Sequence, residues 1–429
     1  MSVSVSQGQS PPDIKPLEIG DIVPDIVFNN VINYKKSSAR LSDFKGKVVI
    51  LDFWATWCGA CIKGFPKIQA LQEFNDGVQF ILVSTPKTRD SLSKIKTFIQ
   101  KYKKNNPGFS IPVAGDAGIL ENYFSYHTIP HYVWLSEDRE VKAITSSREV
   151  TQENLSLILN DIPLNLPPKT DVFRNKPITI NSIDDIDYYT LFRKGQWGGL
   201  SRENMFRISV TAKGETNVKG LVMANMPIVT MYKTIVSKIY AENFANSTKR
   251  IVLDVMDSSK LIAPAEKGGL EQWEKDNLYT YDLVMPAENS SIQSIYHQAL
   301  IDINKLSDYT GMLERRKTRC LMLISKAENE KTALKPAHPA LQRSDIAAPL
   351  QHLNSVDHLI SILDNKNFCK IPVVNGTGYS GAIDIQLPRR LTSLEQVRLA
   401  LGRYQLDLVE VSAQIDMFVI HEKTKTNQL

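Results

Sequence analysis

Two cysteines separated by two residues, Cys58 and Cys61, are the side chains of this 429-residue sequence best suited to chemistry. They lie in Trp57-Cys58-Gly59-Ala60-Cys61, between an apolar run from Lys47 to Phe53 and a stretch whose apolar residues Ile62, Phe65, Ile68, Leu71 and Phe74 recur at helical spacing. A helix starting there puts Cys58 at its N-terminus, where unpaired N–H groups and the macrodipole favour a thiolate. A thiolate attacks disulfides. Cys61, one turn further along the same face, can reach back and break the mixed disulfide. Gly59 and Ala60 are small enough for the tight turn. Asp52 ends the buried run, so burial raises its pKa. It can exchange a proton with the Cys61 thiol, which must lose one before attacking. Pro66, inside the helix, is expected to kink it.

The elements that must hold these residues follow from periodicity. Lys47–Phe53 and Val78–Ser84 read as buried strands. Asp90 is the expected cap of a helix running to about Lys103, with Leu92, Ile95, Phe98 and Ile99 facing inward. His131–Leu135 and Val141–Ile144 flank a turn and predict a hairpin, and Thr151 caps a last helix through Leu159. The order β-α-β-α, hairpin, α is that of an α/β sheet with helices on both faces.

The C-x-x-C pair admits other readings. It can be half of a zinc site, with His127 and His131 as the remaining donors. A peroxiredoxin frame requires Thr three residues before its cysteine, and position 55 is Ala. The pair can also be redox-inert and structural.

Asp52-Phe53-Trp54-Ala55, then Trp57-Cys58-Gly59 and Cys61 with Pro66, resembles the active site of the thioredoxin superfamily. Asp43 to Val49 leading in, and the extra β-α segment between Val78 and Pro112, resemble its TlpA/ResA-like branch. The resemblance covers about residues 17–160. It implies a thioredoxin fold, thiol–disulfide exchange, and a cis-proline at Pro130 facing the cysteines. It further implies that the Ile129 backbone pairs with an incoming substrate strand, and that Trp57, Gly59, Ala60, Ile129 and Pro130 meet the substrate. The resemblance points to reduction rather than oxidation, and to a periplasmic or otherwise extracytoplasmic location. The partners it implies are protein thiols and disulfides and a membrane or soluble electron donor. Beyond the Cys58–Cys61 redox-active disulfide no cofactor is expected, and no metal. Two departures bear on potential and substrate: the dipeptide is Gly-Ala, and position 64 is Gly where many relatives carry Glu.

Residues 1–17 read as a flexible tail, 18–160 as the redox domain, and 161–177, with four prolines, as an extended linker. The opening residues suit the remnant of an exported protein whose signal peptide is absent, and equally an intracellular start. Residues 178–424 read as a larger α+β domain in one or two lobes, ending in a 425–429 tail. Within it, Leu221 to Phe244 reads as one periodic segment with a helix from about Pro227. Leu278–Val284, Thr318–Ser325, Ile371–Val374, Asp407–Val411 and Asp416–His421 read as strands. Ser291–Leu306, Val356–Leu363 and Thr392–Tyr404 read as helices. The order of these stretches, with Leu334-Lys335-Pro336, resembles an uncharacterised domain family of bacterial secreted proteins, which implies no chemistry. Cys320 and Cys369 admit three states: free buried thiols, a mutual disulfide, or a relay with the Cys58/Cys61 pair. No apolar run of about 18 residues exists. A net charge of +5, without a basic block interleaved with aromatics, argues against a nucleic-acid partner. The reading is a thiol–disulfide oxidoreductase with a C-terminal binding or scaffold module. The alternative is a surface-associated interaction protein whose N-terminal domain senses redox state.

Overall fold

The computed structural model describes residues 15–180, 186–210, 213–240, 249–265, 268–286, 289–326, 351–387 and 391–424. Most of the expected N-terminal tail, the C-terminal tail, Leu334-Lys335-Pro336 and the end of the Leu221–Phe244 segment lie outside these residues. The chain forms two compact units. The first closes at Phe173 and takes in Trp197–Arg202; the second comprises Arg174–Gln196 and the chain from Glu203 on.

The first unit has a thioredoxin-like fold. Its strands are β1 (Val27–Ile32), β2 (Ser38–Arg40), β3 (Val48–Phe53), β4 (Val78–Val83), β5 (Val113–Asp116), β6 (His131–Leu135) and β7 (Val141–Thr145). Its helices are α1 (Gly59–Phe74), α2 (Leu92–Asn105), α3 (Ile119–Tyr123) and α4 (Gln152–Leu159). The strand order is β2-β1-β5-β4-β3-β6-β7. β3, β4 and β5 pair in parallel, and the strands outside them are antiparallel. All six residues of β3 are buried, which explains its unbroken apolar run. Its alternate side chains feed two cores. Val48 and Ile50 pack with Trp54, Phe65, Ile68 and Trp134. Val49, Leu51 and Phe53 pack with Phe28, Phe124 and Val133. Each such side chain contributes about 1.5–3 kcal/mol on burial. The same alternation sends Asp52 to the face that carries α1.

Several sequence expectations change here. Asp90 does not cap α2; Ser91 does, accepting the Lys94 N–H, while Asp90 accepts from Thr56. β1 escaped notice because Asn30, at φ +59°, breaks its alternation. β5 is four residues long and contains Gly115, against which Leu92 packs so tightly that a Cβ would lie 2.6 Å from its Cδ1. The 161–177 stretch is not a free spacer. As far as Phe173 it lies on the first unit, with the Lys169 N–H on the Ile144 carbonyl and the Thr170 N–H on that of Gly199. Its prolines hide this, because the pairing uses only the N–H groups between them.

The second unit is α+β. One antiparallel sheet orders Tyr189–Lys194, Leu278–Val284, Thr216–Pro227 and Glu203–Val210, and helices Ile228–Ile239 and Ile292–Leu306 pack on it. A second sheet is built on two 17-residue strands, Tyr309–Ser325 and Leu406–Glu422, paired antiparallel along their whole length. One end of this ribbon places Tyr309, Phe418 and Ile420 in the first sheet's core. The other places Leu321, Leu323 and Leu408 in a separate core with helices Val356–Asp364 and Leu394–Gly402. The segment from Leu221 is a strand as far as Pro227, and its helix starts at Ile228, in line with the expected start near Pro227. Asp407–Val411 and Asp416–His421 are one strand, and the strand expected at Thr318 begins at Tyr309. The ribbon's middle carries Glu314, Arg315, Arg316 and Lys317, whose charge conceals a strand from a hydrophobic pattern. Cys320 is buried and Cys369 half-buried; both are free thiols, so the mutual disulfide does not form.

Candidate active site

The site is built where β3 gives way to α1. Trp54 and Ala55 continue the buried strand, Thr56 turns the chain, and Cys58 takes the N-cap position of α1. Thr56 is tied down by Asp90, which accepts its N–H at 2.6 Å and its hydroxyl at 2.9 Å. Burial pushes the Asp90 carboxyl up, but Lys94 and the Thr56 N–H outweigh it and hold it below its ordinary range. The Trp57 indole donates to the Thr88 carbonyl at 3.0 Å, leaving the ring 61% exposed beside the cysteines. Two loops are thus stitched together on the flank of the turn.

Cys58 and Cys61 form a disulfide. Cys61 is fully buried and Cys58 is 6% exposed, so the outer sulfur is the one open to attack. The Cys61 N–H donates to Cys58 Sγ at 3.2 Å. In the dithiol state that N–H and the helix N-terminus face the Cys58 sulfur and favour its thiolate. Gly59 and Ala60 are exposed, and a Cβ on Gly59 would meet nothing within 4 Å. The dipeptide between the cysteines therefore puts nothing larger than a methyl group on the surface. Across it, the Ile129–Pro130 peptide bond is cis, and the Ile129 carbonyl oxygen lies 3.9 Å from Cys58 Sγ.

Asp52, six residues before Cys58, lies on the α1 side of the sheet and is wholly buried. Neither carboxyl oxygen has a hydrogen-bond partner. Burial holds its pKa well above the ordinary 3.8, and the neighbouring Tyr132 hydroxyl, though outside ordinary hydrogen-bond geometry, acts the other way. Tyr132 is the residue directly opposite Asp52 on β6. Its phenol is pushed up by burial and by the Asp52 charge. Burial thus disfavours the ionised form of both groups. The sequence names Asp52 but not Tyr132; the register of β3 against β6 is the signal that finds it.

His127 and His131 do not sit together as ligands. His127 is exposed and packs its ring on Phe173 at 4.2 Å. His131 is buried in β6 against Phe53 and Tyr126, and neither ring nitrogen has a hydrogen-bond partner. Burial, helped by Lys169, lowers its pKa to about 3 and keeps it neutral. Among the described residues no group of three His, Cys, Asp or Glu could hold a metal ion.

Comparison with known proteins agrees with this geometry. The family model described as Redoxin matches residues 18–157. The chain is 30% identical over 154 residues to the thiol-disulfide oxidoreductase ResA of Oceanobacillus iheyensis, covering 35% of this chain and 76% of that one. It is 32% identical over 149 residues to the ResA of Bacillus thuringiensis subsp. konkukian, covering 34% and 79%. Among solved structures, the thioredoxin domain of a thiol-disulfide oxidoreductase from Bacteroides vulgatus is 22% identical. It covers 34% of this chain and 99% of that one, with a TM-score of 0.27. A strand that delivers one cysteine to a helix N-terminus, a second cysteine buried behind it, and the extent of these matches lead to one conclusion: through its N-terminal unit the chain belongs to the ResA family of thiol–disulfide oxidoreductases.

Proposed function

We propose that the Cys58/Cys61 pair reduces disulfides of extracytoplasmic proteins. The observation that carries this reading is the asymmetry of the pair. Cys58 keeps 6% of its surface exposed, with its Sγ 3.9 Å from the Ile129 carbonyl oxygen, and Cys61 is fully buried. In the reduced protein the Cys58 thiolate attacks one sulfur of a substrate disulfide. A mixed disulfide forms and the other substrate sulfur leaves as a thiolate. Cys61 then gives its proton to a base and attacks Cys58 Sγ. The second substrate thiolate leaves and the Cys58–Cys61 disulfide remains. Two electrons pass from the dithiol to the substrate, and an external thiol donor, soluble or membrane-held, returns them.

Asp52, in its carboxylate form, is the base assigned to Cys61: it is buried on the same face, and burial raises its affinity for the proton it receives. Trp57, Gly59, Ala60, Ile129 and Pro130 form the surface on which the substrate lies, its backbone pairing with Ile129. No cofactor beyond the disulfide is required. The direction and the location follow the resemblance to the TlpA/ResA-like branch. The second unit serves as a binding or scaffold module, a role consistent with its two packed cores and its paired, buried Arg207 and Asp282.

Trapping tests the order of attack. A Cys61→Ser protein can form the first bond but cannot break it, so mixed disulfides with client proteins are expected to accumulate on Cys58. Cys58→Ser should accumulate none. Adducts on Cys61 in the Cys58→Ser protein, at levels matching the reverse variant, would contradict the assignment.

A further inference from the structure

Asp171 and Lys169 grip the loop that ends in Ile129–Pro130 by its backbone. The Asp171 carboxylate accepts the His127 N–H at 2.7 Å, the Thr128 N–H at 3.3 Å and the Thr128 hydroxyl at 2.6 Å. Lys169 Nζ donates to the Thr128 carbonyl at 3.0 Å and its hydroxyl at 3.2 Å, and also pairs with Asp171. The Lys169 side chain is 1% exposed and that of Asp171 14%. An ammonium so enclosed is tolerated only while its partners stay in place. Between them the two side chains satisfy both the N–H and the carbonyl of Thr128. They thereby fix the peptide planes that lead into Ile129, whose own carbonyl faces Cys58.

The pair is itself held by a distant piece of chain. The Lys169 N–H donates to Ile144 on β7, and the Thr170 N–H to Gly199 at 2.8 Å. Thr170 bridges to Leu200, which is fully buried. Gly199 has φ +78°, and a Cβ there would lie 2.1 Å from the Pro168 carbonyl oxygen. Only glycine fits this approach.

We propose that residues 169–171 are a strap that presets the Ile129–Pro130 loop for a peptide substrate, with Lys169 and Asp171 as positioning residues for docking rather than for the sulfur chemistry. This rests on the reading of Cys58 and Cys61 as a disulfide-reducing pair. With the strap in place the loop is ordered before a peptide arrives. Without it, the cost of ordering falls on binding. A small aromatic disulfide that does not pair with the Ile129 backbone has no use for the strap.

The test uses the full chain and two substrates: insulin, with dithiothreitol as electron donor, and 5,5′-dithiobis(2-nitrobenzoate) in a single turnover with protein reduced beforehand and freed of dithiothreitol. Asp171→Ala is expected to raise KM for insulin by about tenfold. Its kcat, its rate with the small disulfide and the pH profile of Cys58 alkylation should stay within about twofold of the parent. Gly199→Ala, which touches neither the loop nor the ion pair, should raise KM in the same direction. Asp171→Asn, which keeps one acceptor oxygen, should recover part of the loss. If Asp171→Ala fails to fold, the other two variants carry the test. An unchanged KM for insulin in folded variants would overturn the strap, as would a parallel fall with both substrates. A parent protein that reduces neither substrate would instead overturn the disulfide-reducing reading, and the strap with it.

Discussion

At the scale of single residues, the proposed proton transfer turns on a carboxyl buried away from water. Asp52 binds its proton more tightly in the fold than in the unfolded chain, because burial disfavours the carboxylate. Between 3.8 and its raised folded value the native state therefore holds the extra proton, and stability falls as pH rises. Below 3.8 both states are protonated and the penalty is gone. Asp52→Asn removes the ionisation but keeps the shape. It is expected to melt higher than the parent at neutral pH, with the gain disappearing at about pH 3, as thermal melts at the two pH values would show. The same change should slow resolution of the Cys58 mixed disulfide by about a hundredfold, the size of a lost general base. A variant that melts higher yet resolves at the parent rate would make Asp52 a buried carboxyl with no part in proton transfer.

At the scale of elements, what was legible depended on burial. β3 and α1 announced themselves because β3 is buried on both faces and α1 buries Phe65 and Ile68 at helical spacing, although Phe74 at its end is exposed. The cysteines, Asp52 and Pro130 could be placed from those two elements and the strand after Pro130. Tyr132 could not, because a cross-strand neighbour needs a register that the pattern alone leaves open. Lys169 and Asp171 gave no signal at all: both are charged and follow Pro167-Pro168 within three residues, which is how a solvated linker looks. The same blindness affected the second unit. Arg207, on the strand Glu203–Val210, is fully buried and forms a bidentate pair with Asp282 on Leu278–Val284, both bonds at 2.8 Å. Asp282 also accepts the Ile178 N–H at 2.8 Å. Removing one partner leaves the other charge stranded, so Arg207→Ala should cost about 3–5 kcal/mol of stability, measured by denaturant unfolding. A loss below about 1 kcal/mol, the worth of an exposed pair, would show that water reaches the site.

At the scale of the whole molecule, a redox unit that accounts for about the first 173 residues is joined to a larger α+β unit, and the boundary is not a simple cut. Trp197–Arg202 belongs to the first unit although the chain on both sides of it belongs to the second. The sequence shows a Pro-rich break near the right place but cannot show this return, because it is a contact between segments some thirty residues apart with no shared pattern. Cys320 and Cys369 remain thiols within the second unit, each raised by burial, so the chain's one disulfide among the described residues is Cys58–Cys61. The reading as a reductase is tested most directly by the reduction potential of that disulfide in the full chain. It would be measured by equilibration with dithiothreitol and glutathione buffers, with Cys58→Ser as control. A value near that of thioredoxin, about −270 mV, is expected for a pair that delivers electrons to substrate disulfides. A value near that of DsbA, about −120 mV, would contradict it and make the pair an oxidant of thiols.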